Sequence, residues 1–405
     1  VRQDTRPEGQ TARRIRIAAL AAELGRRQGL HAVEQACLRD AAMYQDFPLD
    51  LFDGPAFRRL VADVLGVMPE DAPPSFLSSG ALEVLRALHN RSKKLGREAK
   101  MAEILEIAES LDDLLEAAPY SLASVDEDFE ECPFAAAGLS VLRRVTREQF
   151  TAVFPQLPVF ESAARTAMQI LAVDELDLRA LERIAHSDPV LAGKVVSCAN
   201  SAIFMGTGEV RSIPAAIAKI GMLAARQVML AAIIGSLYRK PFMRPMWAHA
   251  LESADLAAEF ARRTSSANPA EATLAGLVHD IGVLALSLLP SEAVGTCERL
   301  VHDGYPRTGA EWLVYGVDHA EAAAEILKFW KFPDDLVEGV RYHHCPEKTS
   351  NPIAAILYAV ELCTLSDEDM PSRLRLAAAA RRLNLTVDQV VAMRHSATLQ
   401  ALPLG

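Results

Sequence analysis

No two cysteines stand at C-x-x-C spacing in this chain. Its six, Cys37, Cys132, Cys198, Cys297, Cys345 and Cys363, are scattered through 405 residues. In a chain this long that pattern calls for no disulfide framework and no structural zinc site, and it fits a reducing, cytoplasmic compartment. Positive charge is also short. There are 42 Lys and Arg against 53 Asp and Glu, a net charge of −11, which argues against a dedicated nucleic-acid surface; no direct DNA binding is expected. Long uninterrupted apolar runs are missing. The run from Gln227 to Tyr238 is short and flanked by Arg226 and Arg239, and the stretch Ala272 to Leu289 carries His279 and Asp280 in its middle. A spanning helix needs about 20 apolar residues with few or no charges, so no membrane segment is expected. The Arg-rich opening, Arg2 to Arg16, has no apolar core of the signal-peptide kind. Aromatics are 6% of residues, and no run alternates as a half-buried strand does.

What is present is helix. Alanine, leucine and arginine dominate, and all are good helix formers. Ile17, Leu20 and Leu24 fall at i, i+3, i+7; Met101, Ile104, Leu105, Ala108, Leu111 and Leu115 make a second stripe. Asp177, Asp188-Pro189, Ser212-Ile213-Pro214 and Thr386 read as helix starts. The expected class is all-α, built as two helical bundles. Residues 1–125 form an N-terminal helical domain, 126–150 an acidic linker around Asp126-Glu127-Asp128-Phe129-Glu130-Glu131, 151–365 a second bundle, and 366–405 a helical tail packed on it. Arg381 to Thr386 has a faint helix-turn-helix look, for which a plain terminal hairpin is the simpler account.

Six of the ten histidines lie between 249 and 344: His249, His279, His302, His319, His343 and His344. The pair His279-Asp280 sits in Ala275-Gly-Leu-Val-His-Asp-Ile-Gly282, which reads as the middle of an apolar helix. Burying such a pair unpartnered costs several kcal/mol, and metal ligation is one remedy, since imidazole and carboxylate both suit Fe, Mn or Zn. His302, beside Asp303-Gly304, reads as a surface residue.

The order of these landmarks resembles the HDOD domain, a relative of the HD-type metal-dependent phosphohydrolases. The resemblance runs from about Phe154 to Cys363. It is carried by Leu157-Pro158, Asp188-Pro189-Val190-Leu191, Asn200-Ser201-Ala202, Ser212-Ile213 with Gly221, and Trp247 with His249. It continues through Gly276 to Gly282, Asp318-His319-Ala320-Glu321, Trp330 with Pro333, and His343-His344. The resemblance implies a metal set of His249, His279 and Asp280, with His319, His343 and His344 as the extra ligands of a two-metal site. The ion would be iron, manganese or another divalent metal. Asp188, Asn200 and Trp247 are candidate ligand- or partner-binding residues. By the family's register a last aspartate is expected at Val360, while Glu361, about 100° round the helix, is expected to point elsewhere. The cyclic di-GMP-hydrolysing branch also has a GYP loop after the histidine pair, where this chain has Cys345-Pro346-Glu347-Lys348; Asp303-Gly304-Tyr305-Pro306 is a coincidence of letters.

A fainter echo lies upstream. Leu20-Ala-Ala-Glu-Leu-Gly-Arg-Arg27 matches Leu256-Ala-Ala-Glu-Phe-Ala-Arg-Arg263 at six of eight positions, and each is followed by a residue pair, Gln45-Asp46 and His279-Asp280. The N-terminal domain is then either a degenerate HD-like bundle, with Gln45 and Arg13 where ligands would sit, or an unrelated helical domain. His31 and His89 read as ordinary surface or core residues. The expected function is a bacterial signal-transduction protein whose HDOD domain is a non-catalytic module. It would bind another signalling protein or a nucleotide second messenger such as cyclic di-GMP, and self-pairing as a homodimer is compatible. The alternative is a metal-dependent phosphohydrolase acting on a nucleotide or cyclic dinucleotide, with Asp280 in the reacting site.

Overall fold

A computed structural model describes residues 7–47, 77–90, 96–117, 133–142, 145–157, 167, 170–171, 177–201, 210–235, 243–364 and 373–396. Among them there is helix and no strand. In chain order the helices are α1 (Pro7–Arg27), α2 (Ala32–Tyr44), α3 (Ser79–Asn90), α4 (Arg97–Ala117), α5 (Pro133–Leu142), α6 (Arg147–Thr151) and α7 (Leu178–Ser187). Next come α8 (Pro189–Ala199), α9 (Ile213–Ile220), α10 (Met222–Gly235), α11 (Arg244–Thr264), α12 (Pro269–Val278) and α13 (Ile281–Leu286). The series ends with α14 (Ser291–His302), α15 (Arg307–Tyr315), α16 (His319–Phe329), α17 (Asp334–Arg341), α18 (Pro352–Thr364), α19 (Arg373–Arg382) and α20 (Val387–Ser396). Pro158, Ala202 and the acidic run 126–131 lie outside the described residues.

The chain forms two compact units. One is Val1–Phe150 with Leu288–Asp318, the other Thr151–Ser287 with His319–Gly405. The hairpin of α14 and α15, which lies by sequence inside the expected 151–365 segment, therefore packs with the N-terminal helices. Pro133–Leu142, expected as linker, is helix and closes on α4, with Gly138 set against Leu111 and Ile107.

In the first unit α1 buries Ile17, Leu20 and Leu24 completely, and α2, α3 and α4 contribute Leu38, Leu85, Ile104, Leu105 and Leu111, all nearly inaccessible. Each such side chain contributes about 1.5–3 kcal/mol. Polar contacts then fix α14 against α1. Glu23, 5% exposed, accepts from Arg26 at 2.8 Å, Arg27 at 3.2 Å and Arg299 at 3.1 Å, and Arg27 donates to the Thr296 hydroxyl at 2.6 Å. Burial opposes the charged carboxylate, yet Arg26 and Arg299 hold Glu23 down to about 2.

In the second unit the expected caps are in place. Asp177 accepts from the Ala180 amide at 2.6 Å, and Ser212 accepts from the Ala215 amide at 3.4 Å. Gly221 takes a positive φ of 83° that a Cβ would oppose, and α9 and α10 meet there in a 114° bend. The tail helices pack on the same unit: Arg382 donates to the Pro346 carbonyl at 2.7 Å and the Cys363 thiol lies 3.6 Å from the Val390 carbonyl. Thr386 and Gln389 cap each other's backbone amides at 2.8 and 3.2 Å. By length and composition Pro269–Leu286 is the one stretch among the described residues that could by itself cross a membrane, and 78% of it is buried inside the protein.

Candidate metal centre

Two glycines set the scaffold of the site. At Gly276 an added Cβ would stand 2.6 Å from the Ala254 Cα, so α12 lies almost backbone to backbone on α11, which carries His249. At Gly282 it would stand 1.9 Å from the His319 carbonyl oxygen, so α13 lies equally close to α16. Between these two contacts α12 ends. His279 and Asp280 form a turn between α12 and α13, with Asp280 at φ −95°, ψ 8°, and not the middle of a continuous apolar helix as the sequence suggested. The turn lets adjacent side chains point into one space.

Into that space come His249 from α11, His279 and Asp280 from the turn, His319 from α16, His343 and His344 from the end of α17, and Glu361 from α18. The His279 Nε2 lies 3.2 Å from the His249 Nε2, 3.0 Å from the Glu361 Oε1 and 3.5 Å from the Asp280 Oδ1. The His249 Nε2 is 3.4 Å from Glu361 and 3.5 Å from Asp280. Across the Asp280 carboxylate, the His319 Nε2 lies at 3.5 Å and the His343 Nε2 at 4.0 Å, and the ring nitrogens of His319 and His344 face each other at 2.6 Å. Two groups are thus placed to hold metal ions, His249–His279–Asp280–Glu361 and His319–His343–His344, with Asp280 between them.

The donor chemistry fits a cation. The Nδ1 atoms of His279 and His343 donate to the carbonyls of Gly276 and Val340 at 2.8 and 2.7 Å. A carbonyl only accepts, so the proton of each neutral ring is on Nδ1 and Nε2 presents a lone pair. In their neutral forms both rings therefore turn an acceptor inward, toward the Asp280 and Glu361 carboxylates. Two of these acceptors, Asp280 Oδ1 and His343 Nε2, are buried without a hydrogen-bond partner. Ligand atoms about 2.1 Å from a common ion stand roughly 3.0–3.4 Å apart in octahedral or tetrahedral geometry, close to the 3.0–3.5 Å spacing of the first group.

The titration behaviour has the same cause. Burial works against a charged His279, but Asp280 and Glu361 override it and push the ring up to about 9. The two carboxylates are shifted down despite burial, Asp280 chiefly by His279 and His319, Glu361 by His249 and His279. His344 is pushed down to about 3 by burial and then by His319, and His343 falls well below the usual imidazole range through burial and its histidine neighbours. Asp280 and Glu361 thus favour positive charge at His279, while His343 and His344 stay neutral.

All six residues named from the sequence, His249, His279, Asp280, His319, His343 and His344, meet here. The carboxylate that sequence reasoning missed is Glu361. Val360, at the expected register, is fully buried in the core face of α18, and the helix is turned so that the next residue faces the site. The signal was the residue itself: a glutamate in an otherwise apolar helix needs a partner. The other candidates lie elsewhere. Asn200 bonds both the Val210 amide and carbonyl, at 2.8 and 2.7 Å, bracing a loop. Asp188 ends α7, and Trp247 lies against Gly235. His302 is exposed, Tyr305 of the false GYP string is buried in the first unit, and His31 starts α2 with its backbone amide donating to the Glu34 carboxylate at 2.8 Å.

Histidines and carboxylates from five segments of a helical bundle thus converge on two adjoining groups placed to hold metal ions. Residues 157–346 match the family model of the HDOD domain, and the chain carries an HDOD domain there. Among curated proteins, an uncharacterized protein of Treponema pallidum (strain Nichols) is 21% identical over 225 residues, 54% of this chain; the match spans 43% of that protein's length. Among solved structures, a protein of Shewanella amazonensis SB2B provisionally assigned as a phosphohydrolase is 22% identical, covering 63% of this chain and 96% of that one with a TM-score of 0.53. A provisionally assigned signal transduction protein of Marinobacter aquaeolei VT8 is also 22% identical, over 63% of this chain and 59% of its own, at 0.53. An HDOD domain protein of unknown function from Geobacter sulfurreducens is 20% identical, over 63% and 99%, at 0.50. At these identities the likeness is one of fold.

Proposed function

We propose that this chain is a signalling protein whose HDOD domain holds divalent metal, such as iron or manganese, and uses it to bind and hydrolyse a phosphate ester of a nucleotide or cyclic dinucleotide. The observation that carries the reading is Glu361, which completes a four-residue group with His249, His279 and Asp280 where the sequence register offered only Val360. A divalent ion held there would supply an acidified water and a charge that polarises a phosphoryl oxygen. The chain's own residues do the rest. Gly276 and Val340 carbonyls fix the tautomers of His279 and His343. Asp280 adjoins both groups. The side chains of His249, Asp280 and Glu361 are 28%, 24% and 21% exposed, so a ligand reaches the first group from solvent, while His319 and His343 lie deeper.

A second reading keeps the metal and ligand without turnover. It is favoured by the segment after His344, where Pro346–Lys348 is a short 3-10 turn in place of the GYP loop. In that case the domain reports a second messenger to a partner protein. Protein purified without chelator decides between them, by metal content and by hydrolysis of bis(p-nitrophenyl) phosphate and cyclic di-GMP in the presence of Mn or Fe. Stoichiometric metal with turnover supports the first reading, and metal with binding alone the second. Less than roughly 0.1 metal per chain with no hydrolysis overturns both.

A further inference from the structure

Helices α1 and α11 are built alike. Each has 21 residues, and each is followed by four loop residues, 28–31 and 265–268, before the next helix begins. The eight-residue echo fills their last turns, and the offset that lays Leu20 on Leu256 also lays Arg13 on His249. The ion pairs within the echo match. Glu23 accepts from Arg26 and Arg27 at 2.8 and 3.2 Å, and Glu259 from Arg262 and Arg263 at 3.1 and 2.7 Å. The second helices end alike too. α2 closes on Gln45 at φ −59°, ψ −27°, and α12 on His279 at φ −57°, ψ −38°. An aspartate follows each, Asp46 and Asp280. α2 has 13 residues to the 10 of α12. Residues three apart share a helix face, so the longer α2 keeps Gln45 in the phase of His279.

The carboxylate helix has a counterpart as well. In the second unit His249 faces Glu361 of α18 at 3.4 Å. In the first, Arg13 reaches three carboxylates of α4: Asp113 at 2.7 Å, Glu109 at 3.2 Å and the buried Asp112 at 4.0 Å. We propose that the first unit is a second bundle of the HD kind, whose centre is closed to metal because the Arg13 guanidinium stands in for both the histidine and the ion. A guanidinium has five N–H donors and no lone pair, so it satisfies carboxylates by its own charge and ligates nothing. Gln45 carries the mark of the exchange. It is 7% exposed, and both its amide atoms are buried without a hydrogen-bond partner. Such an amide is costly to bury. A ligand position accounts for it, because a side chain there is aimed at an ion and has no protein partner built for it. The support is backbone geometry and ion pairs inside each unit, and it does not require turnover at the second.

The test is to supply the first unit with metal ligands. Manganese bound per chain is measured by equilibrium dialysis of the full chain, as wild type and as the double variant Arg13→His, Gln45→His, with helix content followed by circular dichroism. The two new imidazoles, with Asp46 and the α4 carboxylates, give a donor set suited to a divalent ion. The double variant is expected to bind about one manganese more than wild type, and added manganese should raise its unfolding midpoint further than it raises that of wild type. A helical double variant that binds no more manganese than wild type overturns the inference. Should the double variant not fold, Arg13→Met decides. It keeps the side chain's bulk and leaves the α4 carboxylates without that cation, so manganese should raise its urea midpoint more than it raises that of wild type. An equal rise in both overturns the inference. Wild type that takes up no metal overturns the reading of the second unit alone, since the manganese gained by the variants is counted from the wild-type value.

Discussion

Gly282→Ala is the smallest change that should dismantle the candidate metal centre. The new Cβ would stand 1.9 Å from the His319 carbonyl oxygen and 2.7 Å from the Ala323 nitrogen. An ordinary carbon–oxygen approach is about 3.3 Å, so α16 has to retreat by ~1.4 Å relative to α13. Both colliding atoms are backbone, which cannot swing aside as a side chain does. Metal–ligand distances are held to within ~0.2 Å, so a shift of that size separates His319 from Asp280 beyond what a shared ion can bridge. Overpacking of this kind costs about 1–3 kcal/mol, and the upper end is expected here. Metal content of chelator-free protein and urea unfolding measure the two effects. Gly193→Ala is the control: that glycine lies within α8 with nothing inside 4 Å of its added Cβ, so the exchange should raise stability by about 0.5–1 kcal/mol. A Gly282→Ala protein with wild-type metal content and an unshifted unfolding midpoint would refute the reasoning.

Three further outcomes are expected. Glu361→Gln keeps the shape and removes the charge, and should weaken metal binding by at least ~10-fold in a competition titration against a chelating dye; unchanged affinity would show that Glu361 is not a ligand. Val360→Asp, which installs the family's residue at the family's register, buries an unpaired carboxylate at a fully inaccessible position and should destabilise the chain by roughly 3 kcal/mol or more with no gain in metal affinity, as unfolding and metal titrations would show. Glu23→Gln tests the arginine cluster. The folded carboxyl is lowered to about 2, so its stabilisation is present above the unfolded value of about 4.5 and is lost as pH falls toward 2. Since Arg26 and Arg299 are 36% and 44% exposed, solvent screening reduces the effect to about 2 kcal/mol near neutrality. The gap between wild type and variant should close in acid, and a gap that ignores pH would sink the account.

The histidines could be read directly because they are rare in this chain and fall in a fixed order; their meeting needed only the helices between them to fold. Glu361 was not legible in the same way. Which of two neighbouring residues faces a site depends on how far α18 is rotated against α11 and α17, and α18 is apolar nearly all round, so its sequence does not set that phase. The glycines show a related limit. Gly276 and Gly282 were visible as letters of the motif, but their role depends on what approaches them, Ala254 and His319, from distant parts of the chain. Composition read residues 126–150 as an acidic linker, because the acidic run drew attention away from the helix Pro133–Leu142, whose Leu139 and Leu142 are buried. Nothing local marks α14 and α15 as companions of the N-terminal helices. That pairing is carried by single contacts such as Glu23 with Arg299, 276 residues apart.

The first unit has a polar centre of its own at the place where the sequence echo would put ligands. Arg13 pairs with Asp113 at 2.7 Å and Glu109 at 3.2 Å, Arg14 with Asp46 at 3.1 Å, and Arg16 grips the buried Asp112 through two bonds of 2.7 and 2.9 Å. There the compensating cations are part of the polypeptide and arrive with every copy synthesised. In the second unit Asp280 Oδ1 and His343 Nε2 are buried with no hydrogen-bond partner among the described residues. On the reading proposed for that site, one half of the molecule is complete at birth, while the other is finished by what the cell has in solution and is exposed to its shortages.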